Sequence, residues 1–247
     1  MYKFALIGGT GIGDVLLRRA QGSVQIPTKY GLVKAKRLQV SLGADVLLLA
    51  RHGAGHKLPP HGIAYRAMAE ALDRLNIEHC FSSTAVGSLK AEHSSGKILI
   101  PKDFIDLTGR NITMFEEHVE HKDFSEGFDE KARNCLVLSA RELNLEFEDG
   151  GVYVGANGPR YETASEVQYM SMIGGDVVGM TASSEATVMR EAGIRYASVS
   201  VVTNFATGIG GMLSHEEVVD TMKERSEVVA NLLINGGKFI EQATADN

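Results

Sequence analysis

The sequence predicts an α/β fold: a single-domain, three-layer α/β sandwich around a mixed, largely parallel sheet, spanning residues 1–247. Three observations lead there. Short apolar runs of strand length alternate with longer stretches of helical periodicity, which is the pattern of strands covered by helices. Residues that carry chemistry recur just beyond those apolar runs, where open α/β sheets bind their ligands. Between residues 1 and 247 no Pro-, Gly- or Ser-rich linker divides the chain.

In order, Lys3–Ile7 reads as a buried strand, and Gly8–Gly13 as a turn whose backbone N–H groups can face an anion. Residues Val24–Ala50 read as extended segments, separated at Pro27, Lys29–Gly31 and Leu42–Gly43, with Arg51 and His52 at the end of the last. Apolar spacing over Ile63, Met68, Leu72 and Leu75 predicts a helix, followed by strands at His79–Thr84 and Ile98–Ile100. Thr108–Gly127 is polar and weakly periodic and reads as a long loop, a kind of segment that in compact domains usually serves function. Helices are expected at Asp129–Leu143, Glu162–Met172 and Ser184–Ala192, and strands at Val152–Val154, Asp176–Met180 and Arg195–Val202. Ser214–Glu217 has capping-box spacing before a long C-terminal helix.

Composition excludes several classes. At 44% hydrophobic and 23% charged residues the chain is an ordinary globular one. A net charge of -6 argues against a nucleic-acid partner, which would be held through clustered Lys and Arg. Cys80 and Cys135 offer neither a disulfide framework nor metal-ligand spacing. The N-terminal stretch has no signal-peptide core, and the expectation is a cytoplasmic protein with no membrane partner.

Gly8-Gly-Thr-Gly-Ile-Gly13 lacks the third glycine of a dinucleotide fingerprint, and no acid lies between Asp14 and Asp45 to hold a ribose. It also lacks the Gly-Lys-Ser/Thr ending of a triphosphate loop. What remains is a turn, with Thr10 as a hydroxyl donor, suited to a small anion or serving only as a tight bend. Arg51-His52 adds a delocalised cation and a titratable ring, a pairing able to hold a dianion. His52, His56 and His61 could instead be metal ligands, but Gly53, Gly55, Pro59 and Pro60 break any helix that would align them, so no metal is expected. Ser82–Gly87 and Met180-Thr181 supply hydroxyls and amides at strand ends; the same residues could merely cap the following helices, and Met180 could be plain core.

The remaining stretch is Gly155-Ala-Asn-Gly-Pro-Arg-Tyr-Glu-Thr163, read together with Asn204. A Gly-Pro turn delivers the flat ring of Tyr161 and the acceptor carboxylate of Glu162. Asn204 follows an apolar strand and offers a donor and an acceptor from one rigid amide. A 6-oxopurine asks for that combination.

Taken in order, Gly8-Gly-Thr-Gly11, Arg51-His52-Gly53, Ala64-Tyr-Arg-Ala67, Thr84-Ala-Val-Gly-Ser88, Gly158–Thr163 and Met180-Thr181 resemble the trimeric purine nucleoside phosphorylase and methylthioadenosine phosphorylase family over nearly the whole length. The resemblance implies that Thr10, Arg51, His52, Thr84, Ala85 and Thr181 hold phosphate, with Met180 against the ribose and Tyr161 against sugar and base. Methylthioadenosine phosphorylases typically read the 6-amino base with an Asp-x-Asp pair, where this chain has Asn204-Phe-Ala206. The expected substrates are therefore inosine, guanosine and their deoxy forms, with Asn204, Glu162 and His52 as the catalytic set and inorganic phosphate as co-substrate, without cofactor. His215 falls where inosine and guanosine phosphorylases carry a histidine to the 5'-hydroxyl. His121 and its surroundings look more like the methylthio branch, where this loop enters a neighbour's pocket, which implies a trimer or a dimer of trimers. A methylthioinosine (or methylthioadenosine) phosphorylase is the alternative, and a catalytically silent nucleoside-binding protein a second.

Overall fold

Successive side chains of a strand face opposite ways, and in this chain that alternation makes the layers. The computed structural model describes residues 2–40, 45–53, 55, 57–210 and 215–245, with the side chains of 215, 244 and 245 outside that description. In chain order the elements are β1 (Tyr2–Gly8), α1 (Ile12–Arg19), β2 (Gln21–Thr28), β3 (Gly31–Gln39), β4 (Asp45–Ala50), α2 (Tyr65–Arg74), β5 (His79–Ser88), β6 (Ile98–Ile100) and β7 (Asp103–Asp106). There follow α3 (Glu130–Glu142), β8 (Glu148–Asp149), β9 (Val152–Gly155), α4 (Ala164–Met172), β10 (Val177–Gly179), α5 (Ala182–Glu191), β11 (Arg195–Phe205), α6 (His215–Gly236) and α7 (Ile240–Ala245).

Ala5 and Ile7 of β1, with Leu47 and Leu49 of β4, join a buried cluster with residues of α2 and α5. Their neighbours Phe4, Leu6, Val46 and Leu48 turn the other way, into a second cluster with residues of α1, α3, α6 and α7. The three-layer α/β sandwich is thus written into the strands two residues at a time. A third, smaller cluster joins α4, through Val167 and Met170, to Leu89, Val154 and Val178.

The strands form one mixed sheet in the order β2-β3-β4-β1-β5-β10-β9-β7, with β11, β6 and β8 branching from β5. Strands β4, β1, β5 and β11 run parallel, as do β7, β9 and β10. The branch at β5 sets the location of the site. On one side β11 accompanies β5 along its whole length, from Arg195↔His79 to Phe205↔Ser88. On the other side β1 pairs only as far as Ile7↔Ser82, and antiparallel β10 pairs only at Gly87 and Ser88. Between them a stretch of β5 has no strand neighbour on that side, and the sheet is split there.

Several expectations change. The strand expected at His79–Thr84 runs on to Ser88, so Ala85 also lies inside β5, because β11 keeps pairing past the point where β1 stops. Asn204 lies inside β11, at a register shift between Val202 and Asn204. Helix α4 starts at Ala164: Thr163 accepts from the Glu166 N–H and Glu166 from the Thr163 N–H, and this capping box leaves Glu162 in the preceding loop. Pro27 lies within β2 and does not interrupt it, which β2 tolerates as an edge strand. Helix α1, eight residues long, and β7, four residues long, were not anticipated; neither is long enough for periodicity to declare it. Ser214 of the expected capping box lies outside the described residues.

Candidate active site

A cavity of about 390 Å³ opens where the sheet splits, within the range of small-molecule sites. It gathers Thr10, Arg51, His52, Thr84, Ala85 and Thr181, and also Tyr161, Glu162, Met180 and Asn204. Ala206 is buried in the small cluster with Leu89 and Val178 and is not among the lining residues. His121 stands on the exposed part of the 108–127 segment, outside the cavity of its own chain. The His215 side chain and His56 lie outside the described residues, while Val218, one turn along α6 from His215, lines the cavity. Lys57, Thr203 and the prolines Pro59 and Pro60 also line it and were not singled out in the sequence.

Register orders these groups. Along the β5–β11 pair, Thr84 lies opposite Ser200 and Gly87 opposite Asn204. Three residues at ~3.3 Å each separate the two levels by about 10 Å, enough for a pentose between an anion and a base. From β10, Val178 pairs with Gly87, and beyond Gly179 the chain leaves the sheet, so that Met180 and Thr181 line the same cavity as Thr84 and Ala85. Thr84 marks one level along β5, and the Asn204 amide stands at the next.

Arg51 is almost fully buried, and the other side of its charge is a residue the sequence reading missed. Arg51 Nε donates to Glu185 Oε1 at 2.5 Å and Nη2 to Glu185 Oε2 at 2.8 Å, while Nη1 donates to the Ser83 carbonyl at 2.7 Å. The two side chains are 2% and 0% exposed. Burial alone would lower the guanidinium pKa; the charge and hydrogen bonds of Glu185 outweigh it and the net shift is upward. Tyr196 donates to Glu185 Oε2 at 2.5 Å and lies 2.6 Å from the Ser82 hydroxyl. Burial first, and then the Glu185 charge, raises the Tyr196 phenol well above its ordinary 10, so it remains a donor. Sequence distance hid this pair: 134 positions separate Arg51 from Glu185.

Because Glu185 offsets Arg51, an anion here meets a cradle of hydroxyls and amides as much as a net positive charge. Thr181 occupies the N-cap of α5, yet its side chain makes no cap bond, and the Tyr153 hydroxyl accepts from the Thr181 and Ala182 N–H groups. The hydroxyl is thereby left to the cavity, which decides against the plain capping reading. His52 lies at the rim, where Nδ1 donates to the Leu58 carbonyl at 2.8 Å and so orients the ring. Gly9 is required by close approach: a Cβ there would collide with the Ser83 carbonyl and the Arg51 guanidinium.

At the other level Thr203 donates to Asn204 Oδ1 at 2.8 Å, and Asn204 Nδ2 donates to the Phe205 carbonyl at 2.9 Å. Each bond uses one lone pair or one hydrogen, and each leaves one more, so the amide is oriented and still able to donate and accept. Glu162 is largely buried, and that burial raises its carboxyl pKa above the ordinary 4.5; a backbone hydrogen bond works against the shift. Its neighbour Tyr161 stays 39% exposed at the mouth. Gly158 has φ +64°, and a Cβ there would strike the Met180 sulfur, so only glycine lets this loop lie against Met180.

Among the described residues no group of three or more His, Cys, Asp or Glu gathers as a metal site, and no helix is long and apolar enough to cross a membrane.

A family profile described as the phosphorylase superfamily matches residues 3–235. A probable 6-oxopurine nucleoside phosphorylase of Thermococcus kodakarensis is 38% identical over 250 residues, covering 97% of this chain and 93% of that protein. A probable S-methyl-5'-thioinosine phosphorylase of Methanopyrus kandleri is 38% identical over 244 residues, covering 98% and 91%. Among solved structures, the methylthioadenosine phosphorylase from Schistosoma mansoni in complex with adenine superposes with a TM-score of 0.89 at 28% identity, covering 99% of this chain and 96% of that one. With its fold, its split sheet and its matched length, this chain belongs to the phosphorylase superfamily.

Proposed function

We propose that the protein is a purine nucleoside phosphorylase that cleaves 6-oxopurine nucleosides, inosine and guanosine with their deoxy forms, by inorganic phosphate. The observation that carries this reading is the two-level cavity: Arg51, Thr84 and Thr181 line it together, and an oriented amide stands at Asn204, about 10 Å beyond Thr84 along β5–β11. An oxygen of hydrogen phosphate attacks C1', the C1'–N9 bond breaks with its electron pair passing to the purine, and N7 of the departing base takes a proton from solvent, balanced by the one that hydrogen phosphate gives up on becoming the sugar ester. The products are free base and pentose 1-phosphate.

Positive charge grows on the sugar and negative charge on the base in the transition state, so groups aimed at those charges accelerate the step. Asn204 donates to O6 and accepts from N7–H, and Glu162 accepts from N1–H and, in guanine, from the 2-amino group. Adenine offers an unprotonated N1 to Glu162, two acceptors face to face, at a cost of ~1–3 kcal/mol when buried. Phosphate, held by Thr10, Arg51, His52, Thr84, Ala85 and Thr181, is counter-ion to the sugar and nucleophile at once, already close to C1'. No cofactor enters.

A methylthioinosine phosphorylase is the second reading, favoured by relatives that bear that name, such as the Methanopyrus kandleri protein. In both readings the base is a 6-oxopurine, and the 5' end of the sugar separates them. His215 would donate to a 5'-hydroxyl, so His215→Val shifts preference towards the methylthio substrate. The segment that carries His121 would complete a neighbour's pocket in a trimer or a dimer of trimers, which light scattering measures directly. The same reading implies purine salvage in the cytoplasm.

The deciding assay is phosphate-dependent release of base from inosine, guanosine, adenosine and methylthioinosine at matched concentration. Inosine and guanosine cleaved well ahead of adenosine is the expected result. Adenosine consumed as readily as inosine, or release that does not need phosphate, overturns the proposal.

A further inference from the structure

Arg110 belongs to none of the residue sets above, and three walls of the cavity meet at its guanidinium. It comes from the 107–127 segment, beyond β7. Its Nε donates to Asn157 Oδ1 at 3.0 Å and its Nη2 to the Asn157 carbonyl at 2.5 Å, gripping the root of the loop that carries Tyr161 and Glu162. Its Nη1 faces the Met180 carbonyl at 2.8 Å, the Ser184 hydroxyl at 3.1 Å and the Tyr65 hydroxyl at 3.1 Å. The Tyr65 hydroxyl donates to the Pro60 carbonyl at 2.7 Å, so it accepts from Arg110 and passes the linkage to the arm that runs from His52 to Pro60.

Every one of these acceptors is a neutral oxygen. The contact is therefore a matter of shape. A planar fork reaches the base loop with one edge and the Met180 peptide with another, and a lysine ammonium cannot span both. Among the described residues, backbone between Asn157 and Glu162 has few other hydrogen bonds to the body of the protein, and Arg160 bonds the Tyr161 carbonyl and Glu166, within the same loop and helix.

We propose that Arg110 is a positioning residue for the nucleoside, setting the distance between the Glu162 loop and the Met180 peptide without touching substrate. The inference rests on the nucleoside phosphorylase reading of this cavity. Arg110 grips the base loop by two hydrogen bonds at Asn157, whereas towards the phosphate residues it meets the Met180 carbonyl, the Ser184 hydroxyl and the Tyr65 hydroxyl, each one step removed from Thr181, Glu185 and the His52 arm, so nucleoside binding should suffer more than phosphate binding.

The test uses the full chain with Arg110→Lys, Arg110→Ala and Asn157→Ala. Initial rates are taken against inosine at saturating phosphate and against phosphate at saturating inosine, with melting temperatures recorded. Both Arg110 variants should raise the inosine KM by about ten-fold or more, since small displacements of a positioned substrate are costly. The phosphate KM should rise several-fold less than the inosine KM, the split that separates local from general damage. Asn157→Ala should act in the same direction and less, and millimolar guanidinium should restore part of the Arg110→Ala loss. An unchanged inosine KM, an Arg110→Lys enzyme equal to wild type, or equal rises in both KM values would overturn the proposal. If Arg110→Ala does not fold, Arg110→Lys and Asn157→Ala carry the same comparison. Hypoxanthine titrated calorimetrically into wild type and Arg110→Lys separates the two ideas. Wild type that binds hypoxanthine but does not cleave inosine refutes the phosphorylase reading alone, whereas equal hypoxanthine affinities refute the role of Arg110 alone.

Discussion

The two halves of the cavity, as proposed, are built by opposite means. The half proposed for phosphate is anchored in the sheet: Thr84 and Ala85 are strand residues, and Arg51, just past β4, is pinned by Glu185 and the Ser83 carbonyl with almost no exposure. The half proposed for the nucleoside rests on a loop and an irregularity, with Glu162 before the first turn of α4 and Asn204 at the register shift of β11. A small symmetric anion needs one fixed cradle, and buried sheet supplies it. In the proposed reading a base and sugar must enter, be gripped and leave, and their contacts fall on a loop and at a strand irregularity and not in regular sheet.

The largest expected effect falls on the sheet-built half. Glu185→Ala strands a buried guanidinium without its counter-charge, and such removal typically costs ~3–5 kcal/mol. The denaturation midpoint should fall accordingly, and an unmoved midpoint would show that water reaches Arg51 after all. Next comes Asn204→Ala, which should cut kcat by about 10²–10³ while leaving the phosphate KM alone, as loss of a transition-state donor does. Equal losses in both parameters would erase the distinction between the halves.

Glu162 sharpens the comparison through pH. Because burial raises its carboxyl above 4.5, the folded chain keeps a proton that the unfolded chain has lost. Its contribution to stability is therefore full below the unfolded pKa and declines as pH rises through the raised folded one. Binding runs the other way, since the base N1–H needs the carboxylate, so kcat/KM for inosine should climb across the same window. Glu162→Gln should flatten that acid limb and cost ~1–3 kcal/mol in kcat/KM, the worth of one buried hydrogen-bonding partner. The smallest effect is Thr163→Ala, which removes the cap of α4 and should lower stability by ~1 kcal/mol, with a rise in inosine KM and none for phosphate.

Much of this was legible in advance, and the failures have a common cause. Lys3–Ile7, Ile98–Ile100 and Asp129–Leu143 show their state in local pattern, and β1, β6 and α3 follow them closely. Local pattern could not show where β5 would end, because β11 and β10 hold it extended through Gly87 and Ser88. Ser82–Thr84 looked like the end of a strand for want of apolar residues, but Tyr196, Ser198 and Ser200 supply the hydroxyl partners that let a polar strand be buried. Glu185 sits in a helix as an unremarked acid, and Arg110 in a long polar segment among many charges. Only their partners, brought from elsewhere in the chain, distinguish them.

By itself the sequence determined the alternation of strand and helix, the glycine-bearing turns and the kinds of group offered at strand ends, since each depends on periodicity or on one residue's backbone freedom. Tertiary structure alone decided that the sheet divides beside β5, that Arg51 faces Glu185, and that one guanidinium ties the base loop to Met180. Those features are long-range pairings, and an ion pair or a hydrogen bond has no local pattern to announce it until folding brings its two ends together.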